Sequence, residues 1–250
     1  MSEVAKNTII QLKEFFDQNG VDFWLEAGTA LGVYRDNEIM PWDHDMDVAI
    51  WFQNRPSIGS FKKYFEPLGL KVIAQKGFPF IDNIIQLRVD AEESRFMDVD
   101  IYLYREHGDY AYMRWINSPV GFLSSSKQKI LYYLNALYVS NGFKWSFSRK
   151  ILSERLCKFL FENYLKIHIN TSECIYHRFP KTFFKELKEI NFDGLDVKIA
   201  DDTERYLAYR YGDGWSIKDE TFNQTGKWKA SQARVKLKMN HLPIPEIGKY

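Results

Sequence analysis

Cysteine is nearly absent from this 250-residue chain, which holds only Cys157 and Cys174. Two thiols cannot build a disulfide framework, and such sparse usage fits a reducing compartment. Long apolar runs are missing as well. The greasiest stretch, Ile130 to Val139, is interrupted by Asn135, well short of the roughly 18 apolar residues that a spanning helix needs. The opening residues MSEVAKNTII show no basic segment followed by an apolar one, so no secretory leader is read there. Charge of one sign is lacking too: 34 Lys and Arg stand against 33 Asp and Glu, for a net charge of +1. Dedicated nucleic-acid binders carry a basic surplus, so nucleic acid is not expected as a partner. No internal repeat or low-complexity linker is present. The expectation is a cytoplasmic protein, at most peripheral at the cytosolic face of a membrane.

Aromatic residues, in contrast, are abundant: 19 Phe, 15 Tyr and 7 Trp make up 16% of the chain. A thick aromatic core is the default reading, and surfaces that stack on a glycan or a base are the alternative. With 45% hydrophobic and 27% charged residues, the composition is that of a globule long enough to bury a real core.

Apolar periodicity predicts a helix over 3–19, carried by Val4, Ile9, Leu12, Phe15 and Phe16. A strand is expected next, with Val21, Phe23, Leu25 and Ala27 on one face and Asp22, Trp24 and Glu26 on the other. It leads through Gly28-Thr29 into a short helix ending near Tyr34, and residues 35–38 read as a polar turn. A strand over Asp45 to Trp51 precedes a helix carrying Ile58, Phe61, Phe65 and Leu68, which stops near Gly69. Three further strands are read at 71–75, 81–90 and 95–104. This mixture favours an α+β domain on a mixed sheet with flanking helices over a doubly wound one. A soft boundary near 118–128 separates a core over 1–120 from a mostly helical, aromatic-rich lobe over 121–250. Within that lobe, 127–169 reads as helical and Asp193 to Ile199 as a strand. Asp201 and Glu204 form a capping box for a helix ending at Gly212, and 227–238 is a basic tail.

The chemistry concentrates in PWDHDMDVAIW. Asp45 and Asp47 lie two apart on an expected strand and leave it on the same face, while Met46, Val48 and Ile50 occupy the other. Adjacent carboxylates repel unless a cation lies between them, and a hard divalent ion such as Mg²⁺ is the usual solution. Asp43 brings a further acid. The same spacing recurs downstream, where Asp98 and Asp100 share a face with Tyr102, opposite Met97, Val99, Ile101 and Leu103. Gly28-Thr29 lies at a strand-to-helix junction, where backbone N–H groups and the helix dipole favour an anion. Carboxylates for a metal beside a glycine turn for phosphate describe a phosphoryl-transfer site. Cys157, His168, Cys174 and His177 lack the tight paired spacing of a structural zinc site and read as ordinary residues. The basic, apolar-faced stretch 149–167 reads as a packed helix, with a lip against a lipid-linked acceptor as the alternative.

These motifs together are recognisable. WLEAGTALGVYRDNEIMPWDHDMDVAI resembles the LicD family of nucleotidyltransferase-fold phosphotransferases, which includes fukutin and fukutin-related protein. VDIYLY at 99–104 is similar to a family segment that singles out Asp100. NFDGLDVKIADDTERYLAYRYGDGW resembles the family's C-terminal motif, whereas 105–190 matches none of its segments. The resemblance implies a polymerase-β-like nucleotidyltransferase fold and transfer of a phospho-alcohol (phosphocholine, ribitol phosphate or glycerol phosphate) from a CDP-activated donor, releasing CMP. The acceptor it implies is a hydroxyl of a glycan or lipid-linked saccharide, as in teichoic acid or lipopolysaccharide synthesis. It assigns Asp45, Asp47 and Asp100 as catalytic ligands of Mg²⁺ or Mn²⁺, with Asp43 assisting. Gly28, Thr29 and Arg35 become contacts to the nucleotide phosphates. His44 stands where many relatives carry another acid. Three alternatives remain open at this point: nucleotidyl transfer with attack at the α-phosphorus, a D-x-D glycosyltransferase, and a non-catalytic nucleotide-binding module.

Overall fold

The computed structural model describes residues 2–74, 84–89, 94–115, 173–218 and 234–238, together with the helical or adjoining positions 130, 134, 153, 155–157, 159–161 and 163–164. Helix α1 (Glu3–Gln18) opens on Ser2, whose side chain accepts from the Ala5 amide, and buries Ile9, Leu12, Phe15 and Phe16. That stripe packs on α3 (Ile58–Phe65), with the Phe15 ring 4.6 Å from Phe61 and 4.9 Å from Phe65. Between them lie β1 (Trp24–Leu25), α2 (Ala27–Asp36) and β2 (Asp45–Trp51). Strands β3 (Leu70–Ala74), β4 (Ile84–Val89), β5 (Asp98–His107) and β6 (Tyr110–Trp115) follow. The chain continues with β7 (Glu173–Pro180), β8 (Leu187–Phe192), β9 (Leu195–Ala200), α4 (Thr203–Tyr211) and β10 (Arg234–Lys238).

The sheet is mixed, in the order β1-β2-β5-β6-β7-β10, with β4 also pairing β5 and β3 pairing β4. At its centre β2 runs parallel to β5, matching Asp45 to Asp98 and Asp47 to Asp100. Strand β4 pairs antiparallel with β5 and sets Gln86 opposite Asp100. On one face Met46, Val48, Ile50, Val99, Ile101 and Leu103 are fully buried, as their alternation required. The opposite face carries the acids at one end and an aromatic layer at the other. There Trp24, Trp51, Tyr104 and Phe184 approach one another with ring centroids 5.0–6.3 Å apart. The default reading of the aromatics as core therefore holds among the described residues.

Several expectations are corrected. The strand expected at 21–27 is paired only over Trp24–Leu25, and Trp24 and Glu26 are buried rather than outward. A sheet covered on both faces leaves no solvent side for the alternation to mark. Asp202 rather than Asp201 caps α4 and accepts from the Arg205 amide, while Glu204 accepts from the Tyr34 hydroxyl. The basic tail contains a strand, β10, paired with β7. Among the described residues, 173–238 holds four strands and one α-helix, where a mostly helical lobe was expected. The β8–β9 hairpin went unread although its turn, Asp193-Gly194 with φ of 51° and 83°, is the dipeptide that such two-residue loops favour. Most of 127–169 and the boundary at 118–128 lie outside the described residues. One buried cluster includes residues from α1 through α4. No helix among the described residues is long and apolar enough to cross a membrane. Cys174 and His177 both lie on β7, and His168 lies outside the described residues.

Gly32 lets the segment after α2 fold back: a Cβ there would lie 2.5 Å from the Glu38 carbonyl oxygen, whereas one at Gly214 would meet nothing within 4 Å. Gly32→Ala should destabilise the protein by about 2 kcal/mol in urea unfolding, since backbone must move to relieve the overlap. Gly214→Ala should stay within about 0.5 kcal/mol of the parent.

Candidate active site

Because paired residues of neighbouring strands project on the same side, the parallel register turns two separate D-x-D segments into a two-by-two patch of aspartates. Asp45, Asp47 and Asp100 each offer a carboxylate oxygen, and the three oxygens lie within 4.8 Å of one another. Asp100 is buried, and Asp45 and Asp47 are partly so. Burial, followed by the charge of Asp100, pushes the Asp45 carboxyl above its ordinary range. The Asp47 carboxyl is raised further by burial and by Asp45, against the lowering effect of Arg210 and of the hydrogen bond donated by the Tyr102 hydroxyl. Such a cluster is short of positive charge. Its donors are all carboxylate oxygens, with no sulfur or nitrogen, which suits a hard divalent cation.

Strand β4 supplies a part of the site that sequence reasoning missed. Gln86 donates to Asp100 Oδ1 at 3.0 Å, and Arg88 forms an ion pair with the same oxygen. Both bonds fall on Oδ1, so neither uses Oδ2. Arg88 also reaches Asp98 Oδ2 at 3.6 Å and the Val99 carbonyl at 3.2 Å. Asp98 Oδ1 accepts from the Val89 amide at 2.8 Å. Asp98, on the same face as Asp100, is thus held by β4 on both oxygens and stands apart from the three-carboxylate group. Gln86 and Arg88 did show a signal, as polar residues two apart among Ile85, Leu87 and Val89, but only the strand order places them beside Asp100.

The turn before α2 meets the acids from the other side. Thr29 is fully buried, and its Oγ1 accepts from the Asp47 amide at 2.8 Å. The Glu26 amide donates to the Asp47 carbonyl at 3.0 Å. The N-cap residue, Glu26, makes no side-chain bond to the first turn of α2. Gly28 lies against Asp43: a Cβ there would come within 2.8 Å of Asp43 Oδ2. Asp43 itself lies outside the three-carboxylate group but close enough to Asp45 to feel its charge, and His44 is exposed. Arg35 is committed elsewhere: its guanidinium grips Asp36 at 2.7 and 3.0 Å and donates to the Trp215 carbonyl at 3.2 Å. It therefore ties α2 to the segment after α4, and a phosphate would have to share it with these acceptors.

Behind the turn lies a buried ionic hub. Glu26, fully buried, accepts at Oε1 from Tyr104 (3.0 Å), Tyr206 (2.6 Å) and Arg210 (2.8 Å), and at Oε2 from the Trp24 indole (3.1 Å). A carboxylate so deep needs this much compensation. The sequence motifs assign no role to Glu26 or Arg210.

Comparison with known proteins agrees with the motifs over part of the chain. Residues 20–122 match the family model described as LicD/FKTN/FKRP, nucleotidyltransferase domain. The chain is similar to the human ribitol 5-phosphate transferase FKRP, at 28% identity over 102 residues, covering 39% of this chain and 20% of that protein. It is similar to the uncharacterized protein RP689 of Rickettsia prowazekii, at 30% identity over 39% of this chain and 38% of that one. Human ribitol-5-phosphate transferase FKTN matches at 26% identity over 42% of this chain and 22% of its own length. The chain thus spans well under half the length of these relatives. Among solved structures, lincomycin-bound lincosamide antibiotic adenylyltransferase LnuA aligns at a TM-score of 0.42 and 11% identity, covering 92% of this chain and 99% of that one. That likeness is too distant to carry a statement about fold.

Burial, reinforced by Asp45, raises the Asp43 carboxyl from 3.8 to about 6. A carboxyl raised on folding favours the protonated folded state, so its contribution is fully present below the unfolded value and is lost as pH rises through the folded one. In metal-free buffer, Asp43→Asn should therefore gain in Tm relative to the parent between pH 4 and pH 6 and hold that gain above it. A difference in Tm that is flat across this range would contradict the assignment.

Proposed function

We propose that the protein, through the LicD-type domain at 20–122, transfers a phospho-alcohol group from a CDP-activated donor to a hydroxyl of a glycan or lipid-linked saccharide, releasing CMP. The alcohol phosphate is of the phosphocholine, ribitol phosphate or glycerol phosphate type. The observation that carries this reading is the approach of Asp45, Asp47 and Asp100 to within 4.8 Å beside the N-terminus of α2. The names of the relatives, ribitol-phosphate transferases, support the group transferred.

In this reading Asp45, Asp47 and Asp100 hold Mg²⁺ or Mn²⁺, with Asp43 at the edge of the site. The bound ion supplies neutralising charge for the diphosphate and for the negative charge that develops on it. Gln86 and Arg88 fix the Asp100 carboxylate through Oδ1. The amides of Gly28 and Thr29 open α2 and receive the donor phosphates, aided by the positive end of the helix dipole. Gly28 permits this approach because its backbone already lies close to Asp43, with no room for a side chain. The acceptor hydroxyl gives up its proton, through Asp100 to solvent, as its oxygen bonds to the distal phosphorus and the bond from that phosphorus to the bridging oxygen breaks. The electron pair leaves with CMP. With both oxygens of Asp98 engaged, Asp100 is the one of the pair left to orient the acceptor hydroxyl. Positioning and electrostatics carry the rate in such chemistry.

The family model's description as a nucleotidyltransferase domain favours a second reading, attack at the α-phosphorus. Product analysis separates the two. Incubation with Mg²⁺, CDP-choline, CDP-ribitol, CDP-glycerol and CTP should release CMP from one CDP-alcohol and no pyrophosphate from CTP. Asp45→Asn, Asp47→Asn and Asp100→Asn should each lower turnover by roughly a hundredfold or more while circular dichroism stays unchanged. Near-normal turnover in any two of the three would refute the assignment.

A further inference from the structure

We propose that Tyr206, on α4 and outside the 20–122 segment, is a positioning residue. Its hydroxyl latches the left-handed turn at Ala27 that sets the start of α2 against Asp47. The inference deepens the proposed function and depends on it for the identity of the ligand, while the latch itself rests on geometry alone.

Ala27 has φ of 48°. A residue with a Cβ enters this region only against steric resistance, and such a conformation persists where its surroundings over-determine it. The surroundings here are specific. The Ala27 amide donates to the Tyr206 hydroxyl at 3.2 Å, and that hydroxyl donates to Glu26 Oε1 at 2.6 Å. The Tyr206 ring is fixed among Phe179 at 5.4 Å, Phe184 at 5.7 Å and Phe183 at 6.3 Å. Glu26 is held in turn by Trp24, Tyr104 and Arg210, so groups from β1, β5 and α4 converge on one buried carboxylate.

What this fixes is the position of Asp47 relative to the turn. Residues on either side of Ala27 grip the main chain of Asp47: Glu26 donates to its carbonyl, and Thr29 Oγ1 accepts from its amide. A shift of the Ala27 turn would displace the start of α2 with respect to that carboxylate. The sheet register holds Asp45, Asp47 and Asp100 independently of the turn. Loss of the latch should therefore spare cation binding and weaken whatever bridges the cation and the start of α2. In the proposed function that bridge is the donor's diphosphate.

The test is Tyr206→Phe, which keeps the ring and removes the hydroxyl. In hydrogen–deuterium exchange of the ligand-free protein, peptides covering 26–31 should exchange about tenfold faster, as the strain at Ala27 opens a turn that nothing latches, with α1 and β5 unchanged. Affinity for Mn²⁺ alone should stay within about threefold, and affinity for CDP in the presence of Mn²⁺ should fall about tenfold. In an Ala27→Gly background the same hydroxyl removal should accelerate exchange by less than about twofold, since glycine takes this φ without strain. Unchanged exchange at 26–31, acceleration throughout the chain, or equal acceleration in both backgrounds would each overturn the latch. If the unaltered protein binds no CDP with Mn²⁺, the proposed function falls, and the exchange comparison still decides the latch.

Discussion

The constraint on which the site depends is repulsion between carboxylates that the sheet forces together. Parallel pairing of β2 with β5 places Asp45 beside Asp98 and Asp47 beside Asp100 on one face. That arrangement opposes stability unless positive charge compensates it. The protein meets part of the demand itself: Arg88 takes Asp98 and one oxygen of Asp100, and Arg210 lowers the cost of ionising Asp47. The remaining negative charge, shared by Asp45, Asp47 and the Asp100 oxygen that Gln86 and Arg88 do not use, is the part a dication would meet. The four aspartates thus divide into one structural residue, Asp98, and three that face a common point.

A second buried charge organises the other half of the site. Glu26 links β1, β5 and α4 through Trp24, Tyr104, Tyr206 and Arg210. Breaking such a hub leaves a buried carboxylate unpaired, which costs far more than the net worth of the intact pair. Its role is therefore better described as geometric specificity than as stabilisation. It makes α4, from beyond the family-model match at 20–122, a structural partner of the turn at Ala27–Gly28.

Much of this was legible in the chain. Period-2 alternation put Met46, Val48 and Ile50 on one side and Asp45 and Asp47 on the other, and the structure agrees residue by residue. Helices α1 and α3 and the end of α4 at Gly212 followed from apolar spacing and stop signals. The failures have physical causes. Glu26 and Trp24 were misread because alternation reports burial only when one face of a strand meets solvent, and β1 is covered on both. The resemblance alone made Arg35 a phosphate contact, and only the structure brings Asp36 and the Trp215 carbonyl to its guanidinium. Strand β10 falls inside the stretch expected only as a basic tail, since nothing local marks 234–238 as a strand until its partner, β7, is known.

By itself the sequence determined which side of its own strand each aspartate faces, that a helix opens close to Gly28, and that acids and a glycine turn lie close along the chain. Those are local properties, set by backbone periodicity and by residue types that favour turns and caps. Only the tertiary structure decided that β5 pairs with β2 in a register matching acid to acid, that β4 brings Gln86 and Arg88 to Asp100, and that α4 brings Tyr206 and Arg210 to Glu26. Strand order and helix docking arise from burying apolar surface between segments far apart in the chain, and no local pattern encodes which distant segment will supply it.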